Sequence, residues 1–159
     1  MEKWISPLNN AGDTALIIAA RTGDVASIRE AHQEAAKVLG AKLVTKMFHC
    51  MNKYHKTPLH EAVQYGRTEC VRYLLETVQV DADCVKQGDW TPLMLACAKS
   101  ELEIVHLLLA KGCNLQLKNK DGWTAFHVAS RDGSVDVLKT LLTADPTLWN
   151  TRTADFMPK

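Results

Sequence analysis

Apolar residues in this chain recur as short helical stripes. Val71, Leu74 and Leu75; Ile104, Val105, Leu108 and Leu109; and Val137, Leu138, Leu141 and Leu142 each stand at the i, i+3, i+4 spacing by which a helix buries one face. Ahead of each stripe lies a shorter helical segment that opens on a threonine. Thr57-Pro58-Leu59-His60, Thr91-Pro92-Leu93-Met94 and Thr124-Ala125-Phe126-His127 are variants of one tetrad, with threonines 34 and 33 residues apart. A weaker copy, Thr14-Ala15-Leu16-Ile17, precedes the first of these by 43 residues, which implies about ten extra residues between the first and second units. Ala19-Ala20-Arg21-Thr22-Gly23, Ala62-Val63-Gln64-Tyr65-Gly66 and Ala129-Ser130-Arg131-Asp132-Gly133 then end the first helix on glycine, the residue that most easily takes a left-handed cap. The third unit has Ser100 there and should turn less comfortably. Each unit is therefore cap, helix, turn, helix and polar loop, and the chain reads as all-α.

The tetrad has a physical logic. Threonine offers a side-chain oxygen to unpaired helix amides, proline at the first helical position loses no useful donor, and leucine packs inward. His60 and His127 fit a structural role, bonding between neighbouring turns. This period with T-P-L-H resembles the ankyrin repeat over roughly residues 12 to 150. The resemblance implies an all-α solenoid of four stacked helix-turn-helix repeats, with hairpin-like loops projecting at right angles and a concave face lined by loops and first helices. The repeats are expected at about 12–41, 53–85, 87–118 and 120–150, after an N-terminal segment 1–11 and before a tail 151–159.

The ends differ from the middle. Ser27-Ile28-Arg29-Glu30-Ala31-His32 is far more polar than the later second helices, which suits a terminal repeat with solvent on one side. Residues 33–56 read as a helical extension followed by an approach to the second unit. A fifth threonine would be due near 157, where the chain reads TRTADFMPK. The expectation is a shortened form of a longer array, or residues 143–159 folded back as a cap.

Composition narrows the class. With 47% apolar and 23% charged residues the 159-residue chain is that of an ordinary globular protein, and 19 Lys+Arg against 18 Asp+Glu leave no global field to draw nucleic acid or acidic lipid. The apolar runs fall far short of the roughly 20 residues needed to span a bilayer, so no membrane contact is expected. Residues 1–10 lack the apolar core of a signal peptide, which predicts a cytoplasmic or nuclear chain. Cysteines 50, 70, 84, 97 and 113 are odd in number and form no C-x-x-C pair, so they read as free thiols.

Ankyrin geometry implies a partner-binding face formed by the residue before each threonine, the loop positions three and four before it, and the two residues before the glycine. These are Lys53, Tyr54 and Lys56 with Gln64 and Tyr65; Gln87 and Trp90 with Ala98 and Lys99; and Lys120, Asp121 and Trp123 with Arg131 and Asp132. Aromatics interleaved with cations suit a protein-binding hot spot. Against this stands a packing account, in which Trp90 and Trp123 stack on each other or on the next loop. Asp89, Asp121 and Asp132 interrupt the basic residues and rank RNA below protein as a partner. A monomer is expected.

Cys70 to Leu75, Asp89 to Met94, Leu117 to Trp123 and Phe126 to Arg131 are also similar to one member of the family, a cofactor of alanyl-tRNA synthetase. That similarity implies a partner and co-regulator that limits serine mischarging by taking misactivated serine onto lysine side chains. Lys120 is the candidate acceptor that carries over, whereas Gln87 and Asn150 stand where that relative has lysines. No cofactor, metal or catalytic residue is expected. His49, Cys50, His55 and His60 fit no zinc template, and no phosphate-binding or nucleophile-elbow motif is present.

Overall fold

Threonine side chains start the first helices where the tetrads stand: Thr14 Oγ1 accepts the Ile17 amide, Thr57 Oγ1 that of His60 and Thr91 Oγ1 that of Met94. A computed structural model describes residues 2–132 and 134–151. In chain order they form α1 (Glu2–Ile5), α2 (Ala15–Thr22), α3 (Val25–Val38), α4 (Ala41–Met47), α5 (Pro58–Gln64), α6 (Thr68–Tyr73), α7 (Pro92–Lys99), α8 (Leu102–Ala110), α9 (Ala125–Asp132) and α10 (Val135–Ala144). A π-helical turn, Leu74–Val78, continues α6, and a 3₁₀ turn, Pro146–Asn150, follows α10. An antiparallel bridge between Lys86 and Trp90 is the extended pairing found outside helices among the described residues.

Two compact units divide between Asp81 and Ala82. In the first, α2 packs on α1, α3 and α5, while α6 packs on α3 and α5. Leu16, Ile17, Ile28, Leu59, Val63, Val71, Leu74 and Leu75 are buried there. In the second, α7 packs on α8 and α9, and α10 on α8 and α9. Its core holds Leu93, Met94, Ile104, Val105, Leu108, Val128, Val137 and Leu141. The outer members of the stripes, Leu109, Leu138 and Leu142, are half-buried.

The turns follow the expected left-handed pattern where they are described. Gly23 has φ of 86° and Gly66 of 63°, and Ser100 takes the same region at 55° despite its side chain. The glycine expected to close α9, Gly133, and residues 152–159 of the expected tail lie outside the described residues. Nearer the core, the 3₁₀ turn packs against α10 and buries Leu148.

Three local features depart from a plain repeat. Trp4 of α1 is buried, and its indole N–H donates to Glu34 at 2.7 Å. The extra residues after α3 form α4, which turns Val44 and Met47 into the core. After Tyr73 the helix widens to a π turn, and with Gln79 in the left-handed region at φ of 60° both Val78 and Val80 are buried beside Leu74 and Leu75.

Candidate protein-interaction surface

The loop before each tetrad is a closed local structure. In the second unit the Asn119 amide donates to the Trp123 carbonyl at 2.9 Å, and Asn119 Oδ1 accepts the amides of Asp121 at 3.0 Å and Trp123 at 2.9 Å. Gly122 completes the turn with φ of 77°. Five residues before its threonine, Asn52 does the same in the first unit, where Oδ1 accepts from Tyr54 and Lys56 and the Asn52 amide donates to Lys56. Asn9 holds Ala11 and Asp13 likewise. These asparagines, absent from the sequence-based site, were detectable as a side chain that recurs five residues before three of the tetrads. Lys86 occupies that place in the third loop, closed by its amide to the Trp90 carbonyl at 3.0 Å.

Closure fixes the side chain that precedes each threonine. Trp90 and Trp123 are each half-buried. Trp90 lies on the backbone of Gly88, where an added Cβ would come within 3.3 Å of the ring, and Lys86 Nζ stands 5.5 Å from the ring centroid. Over Trp123 stands the Arg131 guanidinium, 5.3 Å from the centroid. Arg131 is in turn oriented by Asp132 through contacts of 2.8 and 3.1 Å. That contact holds the guanidinium above its ordinary pKa and the Asp132 carboxyl below the usual carboxylate value. The two loops of this unit are joined by the Lys120 amide, which donates to the Gly88 carbonyl at 3.0 Å. Trp90, Trp123, Lys120 and Arg131 thus belong to one pair of linked loops and the helices that follow them. Lys120 and Lys99 are exposed.

In the first unit the equivalent slots are charged. Tyr54 and Tyr65 are about half exposed and Lys53 is exposed, while Lys56 turns inward to place its ammonium 3.1 Å from Glu61. Glu61 is buried, and its other oxygen accepts from Arg21 at 2.7 Å. Arg21 also donates to buried Asp13 at 2.8 Å. Two cations and two carboxylates therefore form a balanced network beneath the surface. Glu61 pulls the Arg21 guanidinium upward in pKa, against the effect of burial. Burial alone would raise the Asp13 carboxyl, but hydrogen bonds from Asn9, Asn52 and Arg21 bring it below its ordinary value. Lys56 is thereby an internal partner of Glu61. Its position in a loop conceals this, because Glu61 lies in α5 and Arg21 in α2, brought together by helix packing.

His60, His127, His49 and Cys50 make contacts within the fold. His60 Nδ1 accepts the Thr57 amide and His127 Nδ1 that of Thr124, while His127 Nε2 meets the Thr151 carbonyl. His49 Nε2 accepts the Asp81 amide, and Cys50 Sγ contacts Thr14 Oγ1 at 3.3 Å. No group of three metal-capable side chains occurs among the described residues. The five cysteines are free thiols. Burial pushes Cys70 up to about 11 and Cys97 and Cys113 up to about 12, so these are protonated at neutral pH.

Threonine-capped helix pairs with an intervening closed loop define the class of protein this is. A family model described as ankyrin repeats, in three copies, matches residues 3–87 and 78–150, and the chain belongs to the ankyrin repeat family. The chain is 35% identical over 137 residues to human transient receptor potential cation channel subfamily A member 1, covering 84% of itself. It is 33% identical over 129 residues, 77% of its length, to human ankyrin repeat and SOCS box protein 11. Human ankyrin repeat domain-containing protein 53 is 32% identical over 84 residues, 50% of the chain. The chain spans 11%, 36% and 16% of these three relatives. The ankyrin repeat is a non-enzymatic module that binds protein partners, so the chain carries an interaction scaffold. No described helix is long and apolar enough to cross a membrane.

Proposed function

We propose that this chain acts by holding a partner protein against the loops and first helices of its repeats, with the Trp123 and Arg131 pair as the anchor in the second unit. The observation that carries this reading is the half-open indole of Trp123 with a guanidinium over it, since tryptophan and arginine dominate protein-binding energetics. Trp90 with Lys86, together with Lys99 and Lys120, extends it within the second unit, and exposed Tyr54 and Tyr65 with Lys53 offer a contact surface in the first. Lys56 contributes through Glu61 rather than through a free ammonium. The proposed setting is cytoplasmic or nuclear, with the chain monomeric. The test compares proteins captured from cell extract by the natural chain and by Trp123→Ala. Partners of this face are lost or weakened by more than about 1 kcal/mol in the variant, and unchanged recovery removes the reading.

The partner we propose is alanyl-tRNA synthetase. Support comes from the segments Cys70 to Leu75, Asp89 to Met94 and Leu117 to Trp123, which are similar to ankyrin repeat domain-containing protein 16, and from the exposed side chain of Lys120 at a loop tip. In the acceptor version of this reading, the neutral Lys120 amine attacks the carbonyl carbon of seryl adenylate. An amide bond forms, the acyl–phosphate bond breaks, AMP leaves and the amine's proton passes to water. Titration calorimetry with the purified synthetase tests the partnership, which fails without saturable heat. Intact mass after incubation with synthetase, ATP and serine tests the acceptor step, which fails without a seryl adduct on Lys120.

A further inference from the structure

We infer that the residues inserted between the first two repeats form a second docking surface, which takes an acidic amphipathic helix of a partner protein. The spacing from Thr14 to Thr57 exceeds the repeat period by about ten residues, and the excess builds α4 together with its flanks. Beside α4 lies a groove of about 420 Å³ lined by Ile5, Leu39, Leu43, Met47 and Cys50, with Lys46 as its polar edge. Val44 and Met47 anchor α4 to the core, yet Leu43 is 53% exposed and Ile5 42%. The chain neighbours Val38 and Met51 are 74% and 52% exposed. Apolar side chains left open around a groove mark an interaction surface.

Charge selects the occupant. Leu43 and Met47 stand one helical turn apart, and Lys42 and Lys46 form a parallel row beside them. Between Glu34 and Glu61 the sequence contains no acidic residue, while Lys37, Lys42, Lys46 and Lys53 are exposed. Lys37, Lys42 and Lys46 have no carboxylate partner among the described residues. Of the nearby acids, Glu30 and Glu34 of α3 are held by Lys3, and Glu34 also by Trp4, which leaves Glu2 on α1. A helix with an apolar stripe flanked by Glu or Asp matches both rows. A lipid leaflet could meet the exposed tips, but the groove reaches Met47, only 8% exposed, which suits an inserted side chain better than a flat surface.

The probe is a fluorescein-labelled synthetic helix with leucines at i, i+3, i+4 and i+7 and glutamates on both flanks, titrated into the full chain and followed by polarisation. Saturable binding is expected, weakened about tenfold or more by Leu43→Asp and by Lys42→Glu with Lys46→Glu, and restored to the charge-reversed chain when the flanks are lysine. Trp123→Ala should leave this affinity unchanged, which separates the surface from the one proposed above. Leu43, Lys42 and Lys46 are exposed and Trp123 is half-buried, and the thermal melt of each variant is checked for a retained fold. The proposal is overturned by absence of saturable binding to the natural chain, by equal binding to the charge-reversed variant, or by loss of binding in Trp123→Ala. Binding to phosphatidylserine vesicles without binding to the peptide would also overturn it, in favour of a lipid surface.

Discussion

An arginine seven residues after a tetrad threonine meets the residue that stands directly before that threonine. Arg21 reaches Asp13 in the first repeat, and Arg131 stands over Trp123 in the last. The same pair of positions thus serves as an internal ion pair in one place and a half-open cation–π pair in the other, because the partner is a carboxylate or an indole. In the first case the arginine is structural. Arg21→Met leaves Asp13 buried without its cation and Glu61 with Lys56 alone, and should destabilise the chain by about 3 kcal/mol in urea denaturation. Asp13 also sets a pH dependence. Its folded pKa lies below the unfolded value of about 3.9, so its contribution is complete above that value and is lost as pH falls through the folded pKa. Asp13→Asn should flatten part of the decline in urea midpoint below about pH 4, and an unaltered decline would remove Asp13 from the account. Neither role is visible at a single position in the sequence, where Asp13 and Trp123 share only a place before threonine.

At the scale of elements, the tetrads, the stripes and the turns were legible because they depend on local chemistry. Thr14, Thr57 and Thr91 cap their helices where they stand, and the apolar residues of α8 face inward at the spacing that marked them. Ser100 adopts the left-handed turn that its neighbours give to glycine. Because that conformation costs a residue with a Cβ about 1 kcal/mol, Ser100→Gly should raise stability by up to about that amount, measured as an increased thermal midpoint. Other elements were not legible. The short helix α1 is held by the Trp4 contact to Glu34, thirty residues away in sequence, and the π turn after Tyr73 depends on the burial of Val78 and Val80. The charges of Asp13, Arg21, Lys56 and Glu61 were readable individually, but their pairing required α2 against α5.

Across the whole molecule the balance of charge argues against nonspecific capture of polyanions. With 19 basic and 18 acidic residues, and with Asp13 and Glu61 consuming two of the cations nearest the first-unit loops, fluorescence polarisation with single-stranded RNA at low salt should show no binding. Steeply salt-dependent binding would instead assign the exposed lysines around α4 to nucleic acid. Within its amino-acid order this protein carries its class outright: a period of 33 to 34 residues, a threonine at the start of each tetrad and a buried stripe in three of the second helices suffice, because capping and helical periodicity act over a few residues. Tertiary structure alone decided which charged and aromatic side chains remain open to a partner. Lys56 was drawn inward and the rings of Trp90 and Trp123 were left half outside, since burial is settled by residues that packing brings together from different helices and loops.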